Sequence, residues 1–544
     1  MKYRAIFKDE EEKEETKHKR KAFRISTAGF FMIFVLLLNL AAVLYIKLSH
    51  TIYFWDNATY WDISRQLARQ TVDGEYWKSV YESVASQDYN YIAGILSAGV
   101  IRYFGEARLW YILSLVNFYL LPAYIMIYVL ACRIGKAPEI TFLITFLLFP
   151  VMLFLTLNGF ADIGGADICL ICFLLYYPKN EKRFAVIRHI MIGVLLVFAM
   201  LWRRYFAFFA VSFITAMAAD CLLFHKKKLP VILTVLTSGA VLFFGFRGFL
   251  TERLMRDYGT LYSGYKFALS TDFKLTARYF GAIFVVALFA AAVAVMIKKK
   301  DFRPLFMMIQ IIVCFTMFVL TQTHGQQHLL LYVPSLAVMT IIAIRHISEI
   351  KLLAFTVILA MCQTVSVFVP RTQPGSIREI RYYAPIANFS MLPVKNSMAD
   401  SILQLKNKLD KQIGNNQTLG VLASSFRINE DIIKNVQPSL GQKSSVNDYV
   451  VSLPQVDSRD KDMSAFYNVN YILAAFPAQT HLEPSAQRVV TEAVKSFEVY
   501  ADIAEAYEEM PEFETVIDGI TLKLYKRVKE VMPNQMREFE GRLK

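Results

Sequence analysis

The chain has 544 residues, 55% of them hydrophobic, with a formal charge of +14 at pH 7 and a mean hydropathy of +0.38. A soluble protein averages ~45–50% apolar residues. Here the excess falls in runs of about 20 residues, the length that spans a bilayer, which excludes a purely soluble protein. The positive charge lies mostly in short clusters between those runs, as the positive-inside rule predicts, so it is not the footprint of a nucleic-acid binder.

Met1 to Arg24 is a charged tail containing the basic stop Lys17-His18-Lys19-Arg20-Lys21. It is too long for a signal n-region and reads as a cytoplasmic tail. Run one covers Ile25–Leu48, and the polar stretch 49–108 follows. Run two is Leu109–Cys132 and run three Ile140–Leu157. Run four, Ile168–Tyr177, is short for a span unless it begins inside the loop Asn158–Asp167. Runs five and six meet at Arg203-Arg204-Tyr205, and run seven ends near Leu250. Run eight reaches Ile297, run nine Gln322, run ten precedes Arg345, and run eleven ends near Pro370. With the N-terminus inside, the basic clusters at 133–136, 179–188, 226–228, 298–303 and 345–351 are all cytoplasmic. The alternate loops, 49–108, 158–167, 203–205, 251–278 and 323–328, are then all outside. Every connection obeys one rule, which predicts a multi-pass plasma-membrane protein with eleven spans over 25–370 and an extracytoplasmic C-terminus.

From Arg371 the character changes. Helical periodicity at Ser397–Leu409 and Ser485–Phe497 accompanies short β-like runs at Leu419–Ala423 and Tyr471–Ala475. Glu514–Leu522 is a hairpin signal with Asp518-Gly519 at the turn. Residues 371–544 thus read as an extracytoplasmic α/β domain for structure or acceptor docking. The six cysteines all lie in or beside apolar runs, so no disulfide framework is predicted, and Cys169-x-x-Cys172 reads as small apolar residues.

The unusual polar groups fall on the outer side. Asp56, Asp62 and Asp88 lie in outer loop one, Asp162 and Asp167 in loop two, and Arg203, Arg204 and Tyr205 between runs five and six. His324, Gln327 and His328 lie at the outer end of run nine. Asp56 opens an amphipathic helix with Tyr60, Ile63 and Leu67 on one face. A carboxylate at the edge of hydrocarbon is a functional candidate, although Asp is also a favoured helix cap. Asp62 has Arg65 three residues on, a spacing that suits a simple ion pair. Tyr60 and Trp61 also suit an interfacial aromatic belt. Two arginines on the outer face break the charge rule and suit a bound phosphate, which Arg matches with its planar fork.

Asp56-x-x-x-Tyr60-x-x-Ile63-Ser64-x-x-Leu67 resembles the first-loop motif of the GT-C glycosyltransferases, above all the aminoarabinose transferases and protein O-mannosyltransferases. Asn57 stands where many members carry a second acid, and the family's Lys-Pro-Pro is absent from the segment Tyr89–Glu106. Asp167-Ile168-Cys169-Leu170 resembles the Asp that opens a later membrane helix in the family. Arg203-Arg204-Tyr205 falls where the family places a basic residue for the donor phosphate. His328–Pro334 resembles the family's late helix start. The resemblance implies transfer of a sugar, with inversion, from a polyprenyl-phosphate donor to an envelope glycan, lipid or protein at the outer face. It implies Asp56 as base, with Tyr60, Asp62, Asp88, Asp162, Asp167, Arg203, Arg204, Tyr205, His324, Gln327 and His328 as substrate-binding candidates. No metal ligands are assigned; a divalent cation, Mg or Mn, stays open as a cofactor. The alternatives are a polyprenyl-linked glycan flippase and a non-enzymatic envelope assembly protein, neither of which requires the Asp56 carboxylate.

Overall fold

The structure, a computed structural model, describes residues 27–179, 184–225, 228–371, 379–394, 398–442 and 449–543. The tail 1–24 and the basic residues Lys182, Arg183, Lys226 and Lys227 lie outside the described residues.

Each apolar run is helical. Thr27–Leu48, Arg108–Ile134, Ala185–Trp202, Phe206–Phe224, Ala282–Lys299 and Arg303–Thr321 are long and apolar enough to cross a bilayer. Two further runs are bent pairs: Pro138–Leu148 with Pro150–Leu157 at 56°, and Leu229–Gly245 with Arg247–Leu254 at 99°. Pro150 explains the first bend, since it has no N–H to continue the ladder and its ring clashes with the preceding turn. Runs four, ten and eleven form the shorter apolar helices Ile163–Tyr176, Val333–Arg345 and Ile350–Ser366. Among the described residues, length and composition therefore qualify six spans, or eight with each bent pair counted once, where the charge pattern predicts eleven. Val333–Arg345 is almost wholly buried among neighbouring helices, so lipid thickness does not set its length.

The loops segregate into two ends as the alternation predicts. At one end the Tyr60 hydroxyl reaches Asp162, Asp56 meets Arg203 and Gln327, and Arg204 meets Tyr262, which joins all five predicted outer loops. At the other end Arg133 donates to the Leu174 carbonyl, Arg345 to that of Ile134, and His346 pairs with Asp301.

The C-terminal part is a five-stranded mixed sheet in the order β2-β1-β3-β5-β4. The strands are β1 (Leu419–Leu422), β2 (Val450–Val451), β3 (Tyr471–Phe476), β4 (Tyr507–Ile517) and β5 (Ile520–Arg527). β1 runs parallel to β2 and β3, and β5 runs antiparallel to β3 and β4. Alternate side chains serve two cores. Tyr471, Leu473 and Ala475 pack with helices Ala399–Gln412 and Glu430–Ser439, while Ile472 and Ala474 pack with Arg488–Val499. The β4–β5 turn places Asp518 and Gly519 at φ +51° and +77°, the left-handed pair that an Asp-Gly hairpin turn requires. The domain rests on the loop 251–278: Ser458 donates to the Leu261 carbonyl at 3.0 Å and Arg459 to the Tyr265 hydroxyl at 3.1 Å.

Candidate active site

Asp56 lies in the first turn of helix Trp55–Asp73, and its carboxylate does not cap that helix. Asn57 does the local work: its Oδ1 accepts the Phe54 N–H at 3.1 Å and its Nδ2 donates to the Asn158 carbonyl at 3.0 Å. Asp56 is thereby left to face the loops. Tyr89 donates to its Oδ1, Gln327 Nε2 donates to Oδ2 at 2.7 Å, and Arg203 Nη2 stands 3.5 Å from Oδ2. The side chain keeps 20% exposure, so a substrate can reach it.

Asp162 is the second carboxylate, fully buried at the head of helix Ile163–Tyr176. Its Oδ1 accepts from Tyr60 at 2.8 Å and from Tyr205, with Arg203 Nε 3.7 Å away. Burial pushes the Asp162 carboxyl above the usual carboxylate range, against the pull of Arg203 and the two hydroxyls. Arg203 therefore stands between two acids, its guanidinium 3.8 Å from the Tyr89 ring centre and 5.2 Å from that of Tyr60.

Arg204 points elsewhere. Arg203 has extended backbone, φ −151° and ψ 128°, and successive side chains on extended chain face opposite ways. Arg204 donates to the Tyr262 hydroxyl and lies in ion-pair contact with Asp88 at 2.9 Å. Arg253 at 2.5 Å and Arg256 at 3.7 Å share that single carboxylate. Burial alone would raise Asp88; the arginines, Arg204 first, outweigh it and hold the carboxyl below its ordinary value. Three guanidiniums on one carboxylate leave two positive charges uncompensated. Asp162 Oδ2 and Arg203 Nε are buried without a hydrogen-bond partner among the described residues. Such atoms are rare in folded proteins, and two beside an excess of positive charge point to an anionic ligand.

The other candidates divide. Gln327 joins the cluster, and Tyr60 and Tyr205 orient Asp162. Tyr60 and Trp61 are buried, so they form no interfacial belt. Asp62 leaves the cluster and pairs with Arg65 and with Lys434 at 3.2 Å. Asp167 does not open its helix: the helix begins at Ile163, which carries Asp167 a turn inward, and Asp162 takes the place that motif likeness gives to Asp167. His324 is a satisfied core histidine, between Asp272 at 2.6 Å and Tyr332 at 2.5 Å, stacked on Phe318. Burial lowers its pKa against the pull of Asp272. His328 packs on Tyr205 at 4.7 Å, and its Nδ1 accepts the Gly325 N–H, which leaves the proton on Nε2. Burial, then His324 and Arg203, keep it neutral. Arg253, Arg256 and Tyr262 escape a motif reading, and Tyr89 lies in the segment that resembles the family's without a role being assigned to it. The two arginines break the outer-face charge rule as Arg203 and Arg204 do, and that signal could have found them.

No group of three or more His, Cys, Asp or Glu side chains among the described residues is placed to hold a metal ion. Asp56 and Asp162 are the carboxylates that would share one, and a guanidinium already stands between them. This donor set does not fit a divalent cation, because the Arg203 charge opposes one and Asn57 spends its amide on the backbone.

No protein-family model and no curated protein matches the sequence. Solved structures do. ArnT, the aminoarabinose transferase from Cupriavidus metallidurans, bound to undecaprenyl phosphate, aligns over 93% of this chain and 100% of its own, at 11% identity and TM-score 0.57. This chain has the GT-C fold. The apo form of ArnT aligns over 92% and 98%, at 11% identity and TM-score 0.56. The oligosaccharyltransferase AglB from Archaeoglobus fulgidus, with an inhibitory peptide and a dolichol phosphate, aligns over 82% and 70% at 12% identity. Its TM-score of 0.39 is too low for any residue-level comparison. Within the GT-C fold seen here, the cluster around Asp56 sits where five of the loops converge beneath the C-terminal sheet domain.

Proposed function

We propose that this protein is an integral membrane glycosyltransferase that moves a sugar from a polyprenyl phosphate to a cell-envelope acceptor at the outer face. The observation that carries the reading is a reachable carboxylate, Asp56, beside a cluster of arginines in which three guanidiniums share the single Asp88 carboxylate. The GT-C fold supports it, as does ArnT, whose structure holds undecaprenyl phosphate. The acceptor oxygen attacks the anomeric carbon and its proton passes to Asp56. The bond from that carbon to the phosphate oxygen breaks on the opposite face, which inverts the centre, and its electron pair leaves on the phosphate. Cations, rather than an acid, stabilise such a leaving group. Arg204 and Arg256 take that role; Arg203 is committed to the two carboxylates. No step runs through a metal ion. A flippase would use neither the acid pair nor its arginine bridge.

Undecaprenyl phosphate binding to the purified protein tests the donor site. Arg204 and Arg256 both share the Asp88 carboxylate, but Arg256 is 46% exposed and Arg204 only 16%. Losing one charged contact costs about 1.5–3 kcal/mol, roughly 10- to 150-fold in Kd. Arg204→Ala is expected to weaken binding by that factor, and Arg204→Lys to recover only part of it, because lysine lacks the fork. Unchanged affinity in Arg204→Ala, Arg256→Ala would remove the phosphate from this cluster.

The same reading places the N-terminus in the cytoplasm and the sheet domain outside. A phosphatase reporter, active only outside the cytoplasm, is expected to be active when fused after Lys544. Cytoplasmic activity of a complementary reporter there would invert the topology and move the site to the wrong face.

A further inference from the structure

The residue before Asp56 has an unusual backbone. Trp55 adopts φ +51°, a left-handed conformation that bulky side chains seldom hold. It is not glycine, so neighbours must maintain it. Those neighbours come from the C-terminal domain. Asp431 Oδ2 accepts the Trp55 N–H at 2.6 Å, and the indole packs on Phe426 at 4.9 Å and His481 at 4.5 Å between ring centres.

Asp431 belongs to helix Glu430–Ser439, which lies along the start of the Asp56 helix. Lys434 meets Asp62 at 3.2 Å, Asn435 Oδ1 accepts from Arg65 at 3.2 Å, and Ser439 Oγ accepts the Tyr53 N–H at 3.4 Å. Positions 431, 434 and 435 share one helix face, so a single element touches the Asp56 helix at three points, and Ser439 holds the chain just before it. An N–H at a helix start has no partner within its own helix, and a carboxylate is a good one for it. Burial and Glu430 push the Asp431 carboxyl up to about 7, offset by the Trp55 N–H and Lys434, with Asp62 adding to the rise.

We propose that Asp431 is a positioning residue for the transfer reaction: it holds Trp55 in its left-handed conformation and so sets the direction of the Asp56 carboxylate. The proposal rests on Asp56 as the base, as argued above. It gives the sheet domain a part in catalysis besides any role in docking. Asp431 forms no contact with the Asp56 side chain, whose partners are Tyr89, Gln327 and Arg203; its influence passes through one backbone residue. A misplacement of about 1 Å at a reacting group costs on the order of 10²-fold in rate.

The test uses full-length protein in membranes of cells lacking the wild-type copy. Product is measured by mass spectrometry of envelope glycans, and donor binding with undecaprenyl phosphate. Asp431→Ala is expected to lower product by about 10²-fold with undecaprenyl phosphate affinity unchanged. Asp431→Asn, which keeps an acceptor oxygen, is expected to retain most transfer. Adding Trp55→Gly to Asp431→Ala is expected to restore transfer, because glycine adopts the left-handed conformation freely; a purely structural role would make the double variant worse. Trp55→Val, which disfavours that conformation and keeps Asp431, is expected to reproduce the loss and decides the matter if Asp431→Ala is not inserted. Normal transfer in Asp431→Ala or Trp55→Val, or a double variant worse than the single, overturns the proposal. Asp56→Asn in the same assay separates the two readings. If it transfers normally the base assignment fails; if it is dead while Asp431→Ala is normal, only the positioning role fails.

Discussion

Asp56→Asn is expected to bind undecaprenyl phosphate like the wild type and to transfer almost no sugar. The amide keeps the shape of the side chain but cannot take up the acceptor's proton, and loss of general-base catalysis costs ~10²–10⁴-fold in rate. It also places an N–H₂ group against two existing donors, Tyr89 and Gln327, at least one of which must then turn away. Asp62→Asn is the internal control. Asp62 is held by Arg65 and Lys434 away from the cluster, so this variant is expected to keep most activity. Envelope glycan profiles from cells carrying each variant, normalised to protein in the membrane, measure both. A dead Asp62→Asn beside an active Asp56→Asn would move the base to Asp62. Full activity in both would take the first outer loop out of the chemistry.

Arg203→Ala is expected to be the most destabilising single change in the cluster. The guanidinium is 10% exposed and is the cation nearest the wholly buried Asp162. Removing one partner of a buried pair costs about 3–5 kcal/mol, because the remaining charge is left uncompensated. Two flat contacts, on Tyr89 and Tyr60, are lost with it. Arg203→Lys keeps the charge but not the fork or the ring stacking, and is expected to fall between alanine and wild type. Thermal unfolding of detergent-purified protein reads the effect. The decisive variant is Arg203→Ala, Asp162→Asn, in which the buried acid is neutral by construction. If the pairing is electrostatic, the double variant is more stable than Arg203→Ala alone, a coupling that a mutant cycle isolates. Equal instability would mean that Arg203 matters for packing rather than charge.

The phosphate assignment shows where a motif stops being informative. Arg203 and Arg204 are neighbours in the chain and read as a matched pair on the outer face. On extended backbone they separate, one toward Asp56 and Asp162, the other toward Asp88 and Tyr262. Asp162 and Asp167 are similarly close in sequence. One turn of helix decides that the first reaches the cluster and the second does not.

By itself, the sequence determined the class of protein, the convergence of its alternate loops at one end and the hairpin at Asp518-Gly519, and it put forward the first-loop carboxylate as a candidate. Each of these rests on a local or additive property: apolar length against bilayer thickness, the sign of charge in short loops, a motif within one helix, and a turn of two residues. Only the tertiary structure decided which acids meet, which arginine bridges them, and that Asp431 reaches the residue beside Asp56 across 376 positions of chain. Those outcomes depend on the direction in which each side chain leaves its backbone and on which elements pack together. Asp431 stands in an amphipathic helix of an α/β domain that carries no catalytic motif, so nothing local marks it. A carboxylate aimed at a backbone N–H of the catalytic helix becomes visible only when both elements are in place.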